Sequence, residues 1–255
     1  MEQIIDIEST DAFTGCALQL ESAKDALAVL DPIRGTVGKD AILVARTSPE
    51  AIEIVMYDAV RTCGIEVTIG KLADECWTMS RAVIKVDLDK LIEAVKSFGD
   101  ETVRILATDR KLVILSKAAR RVMPLLAGEV RVDAHLPDIA SDVVISVPVR
   151  TLRRVIQAEA VEDTVTICTS GTRTIFKAED DTSRDTYEVF VDALDPQPEA
   201  KSSYGLDLLK EIIPKIHLEK DNLIVLSYSM VGPCKLTWSQ GKTDFDVLIA
   251  HRTVQ

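Results

Sequence analysis

At 255 residues and 28.0 kDa, the chain is long enough for one large domain or two of about 120 residues, each with its own core. Hydrophobic residues make up 47% and charged residues 28%, a balance that excludes a disordered tail. No stretch approaches eighteen apolar residues and no charged-then-apolar leader opens the chain, so an intracellular protein is expected. Thirty basic against 41 acidic residues give a formal charge of −11, which as a global quantity disfavours wrapping around nucleic acid.

The first element begins near Ser22, where Ala23, Leu27 and Leu30 make a helical stripe ahead of Pro32; strands follow at Ala41 to Arg46 and Ile52 to Tyr57. A second helix carries Leu88, Leu91, Ile92 and Val95 at helical spacing and ends near Phe98 and Gly99. It is followed by strands at Val103 to Leu106 and Leu112 to Leu115 around the turn Thr108-Asp109-Arg110. The segment from Ala127 to Asp138 has no sustained period and contains Pro137, which marks it as a join.

The same order returns at Pro148. Val149, Leu152, Val155 and Ile156 form the stripe, Thr164 to Thr169 a strand, Ser170-Gly171 a turn, and Thr172 to Lys177 the returning strand. Asp192 to Ser203, with Pro196 and Pro198, reads as a loop. The last unit has Leu206, Leu209, Ile212 and Ile213, then strands at Leu223 to Ser227 and Cys234 to Trp238. Four helix-plus-hairpin units therefore recur every 55 to 65 residues, roughly. The expected fold class is α+β: two tandem domains of two units each, helices on one face of antiparallel sheets, divided as 1–126, a connector 127–139, and 140–255.

The chemistry-bearing residues are sparse. Cys16, Cys63, Cys76, Cys168 and Cys234 are odd in number and never spaced Cys-x-x-Cys, and His135, His217 and His251 are far apart, so neither a metal nor another cofactor is expected. Gly241-Lys242-Thr243 lacks the first glycine of a phosphate loop and reads as a turn. No nucleophile elbow, His-Glu-x-x-His or dinucleotide fingerprint is present, so no catalytic residue is assigned. The acid run Glu179-Asp180-Asp181 is the one feature an enzyme reading could use, as a carboxylate site for Mg²⁺.

The helix faces are more informative. Arg150, Arg153, Arg154 and Gln157 fall at i, i+3, i+4 and i+7, which projects three guanidinium groups from one side with no acid among them. Lys90 and Lys96 share a face with Asp89 and Glu93, and Lys210 and Lys215 with Asp207 and Glu211. Cations without base-reading amides or aromatics suit phosphates, giving affinity without sequence preference.

Lys201-Ser-Ser-Tyr-Gly-Leu-Asp-Leu-Leu209, Gly232-Pro233 before the strand at Cys234, Asp246-Val-Leu-Ile-Ala250, Met123-Pro-Leu-Leu126 and Leu136-Pro-Asp-Ile139 together resemble phrases of the sliding DNA clamps of the proliferating cell nuclear antigen type, in their archaeal form. The resemblance implies a closed ring of three subunits, a homotrimer with helices lining a hole around double-stranded DNA. It implies sequence-independent DNA contact and short-motif docking of DNA polymerase, clamp loader, ligase and nucleases in an apolar groove beneath the connector. The family's lumen-facing basic positions match Lys96 and Arg154, and Lys24, Lys90, Arg150, Arg153, Lys210 and Lys215 join them from the helix faces. Matching groove positions are Ile52, Ile54, Leu126, Val130, Pro233, Leu248, Ile249 and Ala250; the loop that is Asp-Pro-Ser in many archaeal members reads Ser48-Pro49-Glu50 here. Subunits of the family join by antiparallel edge strands, here Ala119 to Met123, including Arg121, against Asp185 to Val189, including Tyr187. The resemblance also leaves open a checkpoint-type or heterotrimer-only subunit of the same fold.

Overall fold

The computed structural model describes residues 16–20, 22–48, 50–70, 77–78, 82–108, 110–128, 135–180 and 182–253. Strand β1 (Cys16–Leu20) leads into helix α1 (Ala23–Val37). Ser22 starts the helix: its hydroxyl accepts from the Asp25 N–H while the Asp25 carboxylate accepts from the Ser22 N–H, a reciprocal capping box. Pro32 does not stop the helix as the sequence suggests; it sits inside it, and the helix runs on until Gly38, whose φ of 84° ends it. Ile33, Thr36 and Val37 beyond the proline are buried, so tertiary packing outweighs the local cost of the missing N–H.

The meander β2 (Ile42–Thr47), β3 (Ala51–Tyr57) and β4 (Cys63–Gly70) follows, then the short β5 (Trp77–Thr78) and β6 (Ala82–Asp87). Asp87 caps α2 (Leu88–Lys96) by accepting from the Lys90 N–H. Strands β7 (Val103–Ala107), β8 (Lys111–Leu115) and β9 (Arg120–Pro124) complete the first half of the chain. After the connector come β10 (Val143–Pro148), α3 (Val149–Val155) with a 3₁₀ turn at Ile156–Ala160, β11 (Thr164–Glu179) and β12 (Thr186–Gly205). Helix α4 (Leu206–Ile212) with a 3₁₀ turn at Ile213–Lys215 precedes β13 (Leu223–Tyr228), β14 (Cys234–Gln240) and β15 (Thr243–Ile249).

Two expectations fail in the third unit. Ser170-Gly171 is not a hairpin turn: β11 runs straight through it, with register shifts on both sides of Gly171 and a φ of 60° there. The glycine makes a bulge in a long strand, and the return is made by β12. The stretch from Asp192 to Ser203 belongs to that return strand and is not a separate loop. Its prolines are accommodated because, among the described strands, only β11 pairs with β12, and neither Pro196 nor Pro198 has a partner in that register.

All the strand pairings among the described residues are antiparallel. One sheet has the order β5-β1-β7-β8-β9, a second β10-β13-β14-β15-β4-β3-β2-β6, and β11 pairs with β12. The eight-stranded sheet is continuous because the last strand, β15, pairs with β4 over seven residues, from Thr243 opposite Ile69 to Ile249 opposite Cys63. Its inward residues, among them Ile54, Ile65, Leu226 and Val247, are buried in one cluster with the apolar stripes of all four helices. Trp238 and Phe245, paired across β14 and β15, stack at 4.7 Å with an interplanar angle of 4° in this core.

Helices far apart in the chain touch. A Cβ at Gly35 of α1 would lie 2.5 Å from the Glu211 carbonyl oxygen of α4, and His217 Nε2 is 2.9 Å from Asp31 Oδ2. Gly35→Ala gains about 1 kcal/mol of helix propensity but must push α4 away. A net loss of about 1–3 kcal/mol is expected in thermal unfolding. Asp89 accepts from the Asp40 N–H at 2.9 Å and from Arg34, and these contacts, the backbone one first, hold its carboxyl below the usual range. A depressed carboxyl contributes stability above its unfolded-state value and loses it as pH falls through its folded-state value. Acid unfolding of Asp89→Asn should therefore show a smaller dependence on pH in that window.

Candidate functional site

The polar faces of the helices point away from the sheets. On α3, Arg150 is not free of acid as its own helix suggests: it pairs with Asp221, from the segment before β13. Arg153 donates to the carbonyls of Ile216 and Leu218 at 3.3 and 3.4 Å. Lys24 pairs with Asp100 at 2.7 Å, Lys90 with Asp87 at 2.9 Å, Lys215 with Glu211 at 3.3 Å and Lys210 with Glu159. Asp100 raises the Lys24 ammonium above its usual value, and Asp87 does so for Lys90. Lys96 and Arg154 are exposed, and no ion pair of either is found among the described residues. These are the two positions that the family resemblance singles out. Exposed ion pairs are worth less than about 1 kcal/mol, so the paired cations remain available to a stronger anion.

The opposite face of the eight-stranded sheet carries a groove. Alternation along β3 sends Ile52, Ile54 and Met56 inward and Glu53, Val55 and Tyr57 outward. The groove residues assigned at Ile52 and Ile54 are therefore core, 6% and 3% exposed, and Ile249 on β15 is fully buried. A one-residue shift in strand phase exchanges the two faces. The Asp58–Thr62 loop, between β3 and β4, lies beside the C-terminal segment, with the Ala250 N–H donating to the Thr62 carbonyl at 2.8 Å.

The groove itself has a volume of about 350 Å³ and is lined by Val44, Val55, Tyr57 and the loop Asp58 to Arg61. The Arg61 guanidinium lies 4.9 Å from the centre of the Tyr57 ring. Leu248 is opposite Gly64, which is opposite Tyr57, so Leu248 stands on this face. A Cβ on Gly64 would be 2.8 Å from Leu136 Cδ2 and from the Tyr57 ring; the glycine opens the notch in which Leu136 is seated. Leu126 is 39% exposed and its N–H donates to the Lys85 carbonyl on β6. Pro233 and Ala250 are half-buried at the same end of the sheet as the Asp58–Thr62 loop, and Val130 lies outside the described residues. Tyr57, Gly64 and Leu136 are additions to the sequence reading. Strict alternation counted from Ile54 points to Tyr57; the notch at Gly64 requires the fold.

Among the described strands β9 pairs with β8 alone and β12 with β11 alone, so each has an edge that no strand covers, although the Ser203 carbonyl of β12 accepts from the Arg252 N–H at 2.8 Å. Ala119 closes the β8–β9 turn and Arg121 is exposed, while Met123 and Val189 turn inward at 6% and 9%. Tyr187 is half-buried and Asp185 exposed. Val122 and Phe190, both about half exposed, and Leu194, 97% exposed, are apolar side chains presented by these strands.

Asp180 Oδ1 accepts from the Thr182 N–H and Oδ2 from the Ser183 hydroxyl, both at 2.7 Å, and Glu179 pairs with Lys177 at 2.5 Å. Those acids are used by their own turn, and Asp181 lies outside the described residues. No group of three or more potential metal ligands occurs among the described residues, and none of their helices is long and apolar enough to cross a membrane. Burial pushes the Cys63 thiol up to about 12 and the Cys234 thiol higher still, which leaves both unreactive.

No protein-family model matches the chain, and no curated protein does. Solved structures do match it. PCNA from Thermococcus kodakaraensis superposes with a TM-score of 0.81 at 18% identity, over 93% of this chain and all of that one. A. fulgidus PCNA, bound to the C-terminal region of FEN-1, gives 0.84 at 16%, over 94% and 99%. PCNA from Entamoeba histolytica gives 0.81 at 14%, over 94% and 100%. At these identities the likeness is one of fold, and the chain has the α+β fold of PCNA along nearly its whole length.

Proposed function

We propose that this protein is a DNA sliding clamp, a non-enzymatic processivity factor that closes as a homotrimer around duplex DNA and tethers replication and repair proteins. The observation that carries the reading is the superposition on PCNA over more than nine-tenths of the chain. Two clamp domains, 1–126 and 140–255, joined by the connector 127–139, fit that assignment.

The electrostatics support it. A protein of charge −11 can hold a polyanion only where its cations converge, and Lys96, Arg154 and the weakly paired lysines and arginines sit on the helix side. Phosphate contacts of that kind allow sliding because they read no bases. The free edges support ring closure: Lys117, Arg120 and Arg121 are exposed around β9, and Asp185, Glu188 and Asp192 along β12. Opposite charge on the two ends of one subunit favours head-to-tail association, the heterologous type that closes into rings. The outward groove suits a short peptide with apolar anchors, such as DNA polymerases, ligases and nucleases would present; the A. fulgidus clamp takes the FEN-1 C-terminal region. Tethering then raises local enzyme concentration at the template. A separate ATP-driven loader is required, since the chain offers no nucleotide loop, and the place of work is the nucleoid.

Light scattering coupled to size exclusion should give about 84 kDa, three times 28.0 kDa; a stable monomer would favour a heterotrimer-only subunit. Arg120→Glu with Arg121→Glu should release monomers, and adding Glu188→Arg with Asp192→Arg should restore the trimer. Replacing Lys96 and Arg154 by alanine should leave the trimer intact and shorten retention on nicked circular DNA. The salt dependence of that retention should also flatten, by about 0.9 in logarithmic slope for each phosphate no longer neutralised.

A further inference from the structure

The long strand β12 leaves its ladder in the middle, and what leaves is held in place. In the β11–β12 register Gly171 is opposite Gln197 and Arg173 is opposite Asp192. Thr172 alone on β11 therefore faces four residues of β12, Ala193 to Pro196, which arch out of the ladder. The arch is braced at both feet. Ala193 packs against the core cluster, while the Gln197 side-chain amide donates to the Asp195 carbonyl at 3.3 Å and accepts from the Val144 N–H of β10 at 3.0 Å. With Ala193 turned in, Leu194 stands at the crest, 97% exposed. A lone exposed leucine is ordinary. This one follows Phe190 on the same strand, itself half exposed, with the Arg173 guanidinium 4.6 Å from the centre of its ring.

The arch limits what can add to this edge. A bulge ends strand pairing, so an incoming strand can pair only along Thr186 to Asp192, seven residues. Strand β9 of a second copy, Arg120–Pro124, fits that length with five, and among the described strands its outer edge is uncovered. Charge agrees as well. Lys117, Arg120 and Arg121 are exposed around β9, and Asp185, Glu188, Asp192 and Asp195 along β12. With antiparallel pairing, as in the flanking β8–β9 and β11–β12 ladders, the end of β9 lies against Thr186, and the turn before its start reaches the arch. That turn is closed by the Ser116 N–H donating to the Ala119 carbonyl at 2.9 Å. It presents three exposed residues, Lys117, Ala118 and Ala119: two methyl groups to meet an apolar side chain, and an ammonium to meet an acid.

We infer that the Ala193–Pro196 arch is a contact surface for a second copy of this chain. Leu194 seats on Ala118 and Ala119 of the next subunit's β8–β9 turn, Asp195 faces Lys117 there, and the arch ends the ladder between subunits and so fixes its register. A strand that slips by one residue exchanges its two faces, and the arch stops that slip at one end. The inference rests on the ring reading given above and names the feature that sets the joint.

The test uses the full chain. Sedimentation velocity over a dilution series gives the concentration at which half the subunits separate, and oxidation of paired cysteines by copper phenanthroline reads the contact directly. Leu194→Ala should raise that concentration about tenfold, and Leu194→Glu by more. The circular dichroism of the separated subunits should not change, since the side chain is exposed within its own subunit. Leu194→Met should restore the parental value. Asp195→Lys should weaken association, and Lys117→Asp in the same chain should recover most of the loss. With Leu194→Cys and Ala118→Cys in one chain, oxidation should link neighbouring copies, while either substitution alone leaves them unlinked. Parental association in both Leu194→Ala and Leu194→Glu, or no link in the paired variant while the protein stays trimeric, would overturn the inference and leave the ring reading standing. A parent protein that is monomeric at every concentration would remove both. Links that form open chains without a closed trimer would keep the contact and remove the ring.

Discussion

The architecture depends on the pairing of β15 with β4. Seven opposed residues join the last strand of the chain to the middle of its first half, and everything with a candidate role is referenced to that seam. It makes one eight-stranded sheet out of two meanders, which gives the molecule two distinct faces. One face is covered by four helices in a single hydrophobic cluster. The other carries the groove lined by Val44, Val55, Tyr57 and the Asp58–Arg61 loop, with Leu136 seated against Gly64 next to Tyr57. Without the seam, Leu248 would not stand beside Gly64, and Ala250 would not meet Thr62.

The division of charge follows from that geometry. On the helix side five of the eight cations named above pair with carboxylates, and pairs so open to water are weak. On the sheet side, charges are partly buried and individually satisfied, as Asp246 is by Lys235 and Thr237.

Much of this is legible in the sequence, and the failures share a cause. Helical stripes at α2 and α4 and the hairpins after them stand out because their periodicity and their turn residues agree. Pro32 misleads because local propensity is outvoted by the burial of Ile33 and Val37, which depends on strands distant in the chain. Ser170-Gly171 has the composition of a turn and serves as a bulge, a distinction set by the length of the partner strand β12. Sequence reasoning assigns Ile52 and Ile54 to the groove although they face the core, since the apolar Ile54-Val55-Met56 stretch obscures which residues of β3 face outward. Asp221 cannot be foreseen as the partner of Arg150, because seventy-one residues separate them and only the fold brings them together.

The stack of Trp238 on Phe245 has a practical corollary. The two rings lie flat against each other on adjacent strands, and β15, which carries Phe245, is one side of the seam. An indole 3% exposed in that setting is a native optical gauge: its emission answers to the local polarity where the chain's two halves are stitched, so parting of that junction would register as a red shift before any distant segment unravels.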